Sequence, residues 1–337
     1  MFDIDPDIRI AWTLPSEFYT DAAIFAASKE KIFLPSWQFL GLEHEFAQLS
    51  PVSILPGMLD EPALIVKAQD GIRCLSNVCT HRAMLLVEEP CSADLIRCRY
   101  HGRRFSLDGK MLSMPEFEGV ENFPSEGDDL SMIESADLGG FLFASLSPSN
   151  GFAEVTEDIS WLFDEPAAAG LRLTATREYK VNAHWALYCE NYLEGFHIPY
   201  VHHGLNAVVD YGTYTTDLYR SASVQTGLDE NGEVAARYLF IFPNLMFNFY
   251  PWGISVNIVR PIAADKTVVE FKNYVRDETL LDKGAGADLH TVEMEDEAVV
   301  ESVQRGVRSK YYDRGRYSPT REQGTHHFHR LIADAMN

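Results

Sequence analysis

Apolar and polar positions follow a helical spacing from Thr20 to Phe33, where Ile24, Phe25 and Ile32 alternate with Lys29, Glu30 and Lys31 before Pro35 closes the segment. This predicts an opening helix that packs on a part of the chain that comes later. Between Val52 and Leu146 the pattern changes to short apolar runs, Ala63 to Val66, Ile72 to Leu75, Leu95 to Cys98, Phe105 to Leu107 and Gly140 to Leu146. Turn dipeptides Asp70-Gly71 and Asp108-Gly109 separate some of them, which predicts a compact all-β module. The stretch from Ser147 to Gly170, rich in Ser, Gly, Pro and acid, reads as a linker. Strand-like runs follow at Leu171 to Val181, Tyr238 to Phe242, Leu245 to Tyr250, Ile254 to Arg260 and Val268 to Val275. Helical segments near Ala183 to Gly195 and Val292 to Ser309 are segregated from them, so the second domain is expected to be α+β with an antiparallel sheet. The expected division is 1–37 as a helical segment packing on the last domain, 38–150 as the β domain and 151–337 as the α+β domain.

Composition narrows the function classes. The 337 residues are 46% hydrophobic and 23% charged, a globular balance, and 28 Lys+Arg against 50 Asp+Glu give a net charge of −22. Such a field repels phosphate backbones and anionic lipid, so nucleic acid is not an expected partner. From Arg305 onward the balance is locally basic, which reads as a solvated helix end or a docking contact. No apolar run approaches the roughly 20 residues that span a bilayer. The chain opens with Asp3, Asp5 and Asp7 rather than an export signal, so the expected compartment is the cytoplasm. There thiols stay reduced, and five cysteines clustered with histidines point to metal rather than disulfides.

The first such cluster is Cys79-Thr80-His81 and Cys98-Arg99-Tyr100-His101, separated by sixteen residues, Arg82 to Arg97. Each pair follows a strand-like run, so two loop tips bring together two thiolates and two imidazoles. A structural Cys2His2 zinc site uses similar ligands, and spacing alone leaves it open. The mixed order within each pair favours iron, because a Rieske 2Fe-2S cluster takes two Cys on one iron and two His on the other. Gly102 allows the backbone to approach such a centre closely. Cys74 and Cys91 read as free thiols outside the motif.

The second cluster is the run Glu190 to His203, which holds Glu190, Glu194, His197, His202 and His203. At 100° per residue Glu190, Glu194 and His197 fall within about 60° of one another, and Pro199 is expected to end that helix with His202 returning from the loop beyond. Two imidazoles and a carboxylate on one side of a metal form the facial triad of oxygen-activating Fe(II). Asp296 is the expected carboxylate. On a helical wheel it sits among Val292, Val299, Val300, Val303 and Val307, and a lone acid facing a core is costly unless it is paired or metal-bound. Glu293 is its nearest rival.

Taken together these motifs resemble the Rieske-type non-haem iron oxygenases, the family of aromatic ring-hydroxylating oxygenase α subunits. The Glu190 to His203 run looks closest to the choline, betaine and carnitine monooxygenase branch. The resemblance extends through Asn248-Phe249-Tyr250-Pro251-Trp252 and His326-His327-Phe328-His329, nearly the whole chain. One departure is Arg103-Arg104, where many members carry Trp after the His-Gly. The resemblance implies an all-β Rieske domain with Cys79, His81, Cys98 and His101 on a 2Fe-2S cluster, and a helix-grip catalytic domain with His197, His202 and Asp296 on mononuclear Fe(II). Glu194 would be the bridging acid to a Rieske histidine of a neighbouring subunit, in a head-to-tail homotrimer, and His203 a further shell residue or solvent-facing. No G-x-G-x-x-G or P-loop occurs, so electrons are expected from a separate reductase, with or without a ferredoxin.

The substrate reading rests on aromatic residues, 12% of the chain, among them Tyr211, Tyr214, Tyr219, Tyr238, Phe240, Phe242, Phe247, Phe249, Tyr250 and Trp252. Such a set forms a cation-π cage for an ammonium group or an apolar pocket for an arene. Hydroxylation or oxidative demethylation of a small amine by O2 is the first expectation and aromatic dihydroxylation the alternative. A Rieske electron carrier without oxygenase chemistry is the reading of a different class.

Overall fold

A computed structural model describes residues 2–163, 170–202, 204, 211–281, 283, 286 and 289–337. Two compact units emerge. One is Leu34–Phe152 with a short return at Phe163; the other combines Met1–Phe33, Ala153–Leu162 and Ala169–Asn337.

The opening segment carries the expected helix from Ala22 onward, with a separate short one before it. It forms α1 (Ser16–Thr20) and α2 (Ala22–Ser28), followed by a wider π turn over Lys29–Phe33. Asp21 makes the break, since its carboxylate accepts from the N–H groups of Ala23 and Ile24 and caps a new N-terminus.

The first unit is all-β. Strands β1 (Gln38–Leu42), β2 (Leu49–Ile54), β3 (Glu61–Ala68), β4 (Gly71–Ser76), β5 (Ile96–Arg97), β6 (Arg104–Phe105), β7 (Met111–Ser113), β8 (Met132–Leu138) and β9 (Phe141–Ser145) form two sheets. One has the order β1-β9-β8-β4-β3-β2 and the other β5-β6-β7. Their core is Leu49, Leu64, Val66, Leu75, Leu86, Val87, Ile96, Phe105 and Leu130, and it includes Cys79 and Cys98. The expected linker contains α3 (Phe152–Thr156) and a 3-10 turn at Ser160–Leu162, and part of it, 164–169, lies outside the described residues.

The second unit carries a seven-stranded, wholly antiparallel sheet. Its strands are β10 (Arg172–Val181), β11 (Thr215–Leu218), β12 (Ala222–Leu228), β13 (Val234–Ile241), β14 (Leu245–Tyr250), β15 (Gly253–Ala263) and β16 (Lys266–Val275), ordered β10-β16-β15-β14-β13-β12-β11. Helices α4 (Trp185–Tyr192), α5 (Ile198–Val201), α6 (Leu289–Gly306) and α7 (Gln323–Met336) belong to the same unit. The fold class is thus α+β, with segregated helices and sheet. No helix among the described residues is long and apolar enough to cross a membrane.

The opening segment contributes to this unit's core. Trp185 of α4 is fully buried, with Phe33 and Phe328 edge-on to it at ring separations of 5.0 and 5.8 Å. Beside it His184 caps α4 by accepting from the Ala186 N–H, packed against Phe18 and Tyr19. Burial pulls the His184 imidazole down to about 3, so the folded protein keeps it neutral. Unfolding frees it to take a proton below its ordinary value of 6.5, so its contribution is present above that value and lost as pH falls towards 3. The expected loss between pH 7 and pH 5 is about 2 kcal/mol. His184→Asn keeps a good helix cap, and denaturant midpoints at both pH values should show the variant losing less than the wild type. Equal losses would mean that His184 is not held neutral.

Candidate functional site

The first set of expected ligands sits on two adjacent turns of the β unit. The Cys79 turn is closed by Cys79 N–H to Met84 O and Ala83 N–H to Cys79 O; the Cys98 turn by Cys98 N–H to Arg103 O and Gly102 N–H to Cys98 O. Gly102 holds φ +77°, in the left-handed region that glycine adopts without steric cost. Both cysteines are 2% exposed, and their thiols lie within hydrogen-bonding reach of each other. The His81 and His101 rings sit on the outer side with centroids 4.8 Å apart. Two thiols inside and two imidazoles outside fit a two-iron centre, in which each iron takes a like pair. Burial pushes the Cys79 thiol up, so a thiolate there needs the positive charge of a metal. Cys74 is buried and Cys91 exposed, and both are free. Arg103 is also buried: its guanidinium lies 2.5 Å from Asp128 Oδ1 and faces the rings of Phe105 and Phe123. Arg104 is exposed.

The second set lies in the other unit, with a local structure that differs from the helical expectation. α4 stops at Tyr192, and a separate short helix, α5, begins after His197 with Pro199 in its first turn. Two glycines explain the break. A Cβ on Gly195 would lie 2.8 Å from the Tyr214 ring, and one on Gly324 of α7 would lie 2.4 Å from the Leu193 carbonyl, so the chain is pressed between neighbours at this point. Pro199 therefore starts a helix rather than ending one, because its missing N–H costs nothing in a first turn. Glu190 is separated from the histidines and lies 3.1 Å from His329 Nε2.

His197, His202 and Asp296 nevertheless converge. Their ligand atoms all lie within 4.8 Å of one another and could hold one metal ion. His197 Nε2 is 3.1 Å from His202 Nε2 and 3.5 Å from Asp296 Oδ1, and His202 Nε2 is 2.9 Å from Asp296 Oδ1. A carboxylate fixes each ring from behind: Glu194 Oε1 at 2.8 Å from His197 Nδ1, and Glu295 Oε2 at 2.7 Å from His202 Nδ1. A carboxylate only accepts, so each Nδ1 carries the proton and each Nε2 turns a lone pair to the centre. The donor set fits a facial-triad metal. His203 lies outside the described residues.

Asp296 is not centred on a buried stripe as the valines imply. The buried positions of α6 are Glu293, Val300 and Gln304, with Val307 buried just beyond its end, whereas Val303 is exposed. At 100° per residue that face is turned about 60° from Asp296, which leaves Asp296 at its edge, beside a cavity. The cavity is lined by the triad, Glu194, Asn191, Asn248, Asn257 and the rings of Tyr188, Tyr192, Tyr214, Tyr238, Tyr250 and Phe271. Three of these rings are among those singled out in the sequence. Phe240, Phe247 and Trp252 belong to the buried core instead. Tyr188 and Tyr192 were missed, although their spacing of four puts them on one face of α4. Burial holds the hydroxyls of Tyr188, Tyr192, Tyr214, Tyr238 and Tyr250 above their ordinary range, so all stay neutral. Glu293 also lines the cavity; burial first, and then the Asp296 charge, push it up to about 8, against the pull of the Tyr188 hydroxyl.

Comparison with known proteins fits this geometry. Residues 36–124 match the Rieske [2Fe-2S] domain and residues 209–337 the ring hydroxylating alpha subunit (catalytic domain). Choline monooxygenase of Arabidopsis thaliana is 31% identical over 98% of this chain and 85% of its own length. The chain belongs to the Rieske-type non-haem iron oxygenases. Its cofactors are those of this family, a 2Fe-2S cluster and a mononuclear iron. The carnitine monooxygenase oxygenase subunit of Escherichia coli K12 is 28% identical over 97% of this chain and 94% of its own. Among solved structures, the quaternary ammonium Rieske monooxygenase CntA in complex with L-carnitine superposes with a TM-score of 0.83 at 25% identity, covering both chains completely. Naphthalene 1,2-dioxygenase from Rhodococcus shares the oxygenase fold, with a TM-score of 0.76 at 17% identity over 96% of this chain and 94% of its own.

Proposed function

We propose that this Rieske oxygenase hydroxylates or oxidatively demethylates a small quaternary ammonium compound with O2. The observation that carries the reading is the cavity itself, where six aromatic rings line the same space as His197, His202 and Asp296. Ring faces are negative and attract an onium group that has no N–H to donate. Kinship to choline and carnitine monooxygenases supports the same class.

In this reading Cys79, His81, Cys98 and His101 hold the cluster, and His197, His202 and Asp296 the mononuclear iron. The bound metals supply the one-electron and O2 chemistry that no side chain has. The residues of the chain do the rest. Glu194 and Glu295 keep the two imidazoles in the ligating tautomer, and the tyrosine rings orient the cation and exclude water. Glu194 is also the contact to a Rieske histidine of a neighbouring subunit in a homotrimer, which receives electrons from a separate reductase in the cytoplasm.

The test is turnover by the reconstituted holoenzyme on two panels, trimethylammonium compounds and monocyclic or bicyclic arenes, with aldehyde or hydroxylated product quantified against O2 consumed. Product from the ammonium panel with coupled O2 uptake is expected. Coupled turnover of arenes alone would overturn the proposal.

A further inference from the structure

The cavity contains one acid that the metal-site assignments leave unused. Glu293 is 3% exposed, and its Oε2 accepts from the Tyr188 hydroxyl at 2.6 Å. Its Oε1 is fully buried without a partner among the described residues. A buried, unpaired carboxylate oxygen is costly, and such atoms in native proteins call for an explanation. The other two acids lining the cavity are already engaged. Asp296 faces the two imidazoles, and Glu194 accepts from both the backbone N–H and Nδ1 of His197. Neither Lys nor Arg lines the cavity among the described residues. Burial favours the neutral carboxyl while the cavity is empty, and a cation entering beside Oε1 favours the ionised form, so Glu293 becomes the counter-charge when an onium group binds.

Resting on the ammonium reading above, we propose that Glu293 is a specificity-determining residue whose unpaired Oε1 faces the substrate cation and selects an onium compound with an uncharged tail, such as an amino alcohol, over a zwitterion carrying its own carboxylate. Tyr188 holds the carboxyl in place through Oε2, which fixes the direction of Oε1. A cation entering the cavity supplies the missing counter-charge. A substrate carboxylate finds no guanidinium or ammonium on the described lining and meets the like charge of Glu293, which disfavours its ionised form there. The two kinds of relative differ in this respect: choline has a hydroxyl tail and carnitine a carboxylate.

The experiment is calorimetric binding of choline and L-carnitine to the oxidised holoenzyme under anaerobic conditions without reductase, alongside kcat/KM for both, in the wild type, Glu293→Gln and Glu293→Asp. Wild type is expected to favour choline by about tenfold or more in Kd, and Glu293→Gln to weaken choline by a similar factor while leaving L-carnitine unchanged or improved. Glu293→Asp keeps the charge and should keep the order of preference, which serves as the test if the Gln variant does not fold. Iron and sulfide content should be unchanged in each. A wild type that prefers L-carnitine, or an unchanged Kd ratio in a fully metallated Glu293→Gln, would overturn the assignment while leaving the ammonium reading intact. Failure to bind either cation, with turnover of arenes, would overturn both.

Discussion

Asp296→Ala is expected to give a protein that keeps its red-brown cluster and loses its chemistry. The substitution removes the one oxygen that faces both imidazole nitrogens, at 2.9 and 3.5 Å, and two histidines alone leave the mononuclear metal with too few ligands to stay bound. Iron per chain should fall from roughly three to two with acid-labile sulfide constant near two, since the cluster turns belong to the other compact unit. Oxygen-dependent turnover should drop by roughly a thousandfold or more, the scale on which loss of a catalytic residue acts. Unchanged iron content and turnover would mean that the triad is misassigned and would favour an electron carrier with a binding domain.

Glu194 makes a different prediction, because it does two jobs that substitution can separate. Both of its oxygens are spent on His197, at 3.1 Å from the backbone nitrogen and 2.8 Å from Nδ1. Glu194→Gln still offers an accepting oxygen, so His197 keeps its tautomer and the iron should stay. What it loses is the negative charge proposed to join His197 to the neighbouring subunit's cluster. Steady-state turnover should fall by about 100-fold with both metals present, and the prereduced cluster should reoxidise correspondingly slowly in a single turnover with O2 and substrate. Glu194→Ala removes the support as well and should weaken Fe(II) binding by about 10–100-fold. If Glu194→Gln reoxidises as fast as the wild type, the acid only positions its histidine.

Much of this was legible because ligand spacing survives errors in secondary structure. Cys79, His81, Cys98 and His101 lie on tight turns where sequence neighbours are spatial neighbours, and a short motif describes them well. His197 and His202 were found through a continuous helix that does not exist. The contacts that break it, Tyr214 against Gly195 and Gly324 against Leu193, come from residues far away in the chain and leave no local trace. Asp296 was picked out on a wheel whose buried face proved to be turned, because hydrophobic residues mark a core only where something packs on them, and Val303 is left exposed. The same turn brings Glu293, the rival of Asp296 at the edge of the valine stripe, onto the buried face. Glu295, the second tautomer-fixing carboxylate, sits one residue from Asp296 in an acidic run where no spacing rule distinguishes it. The all-β and antiparallel characters came through because both depend on runs and turns that the chain repeats many times.

The division of the chain has a consequence for its biosynthesis. The β unit is built almost entirely from one stretch, Leu34–Phe152, whereas the other unit needs the first thirty-three residues together with sequence beyond 169. Domains fold largely as units while the ribosome proceeds from the N-terminus. Phe18 and Phe33 must wait for Trp185 and Phe328 to be synthesised before they find their packing partners. The cysteine-histidine turns, by contrast, are complete well before His197 has been translated. Vectorial synthesis thus allows the iron–sulfur cluster to be inserted into a finished domain while the oxygen-activating half of the same polypeptide is still being made.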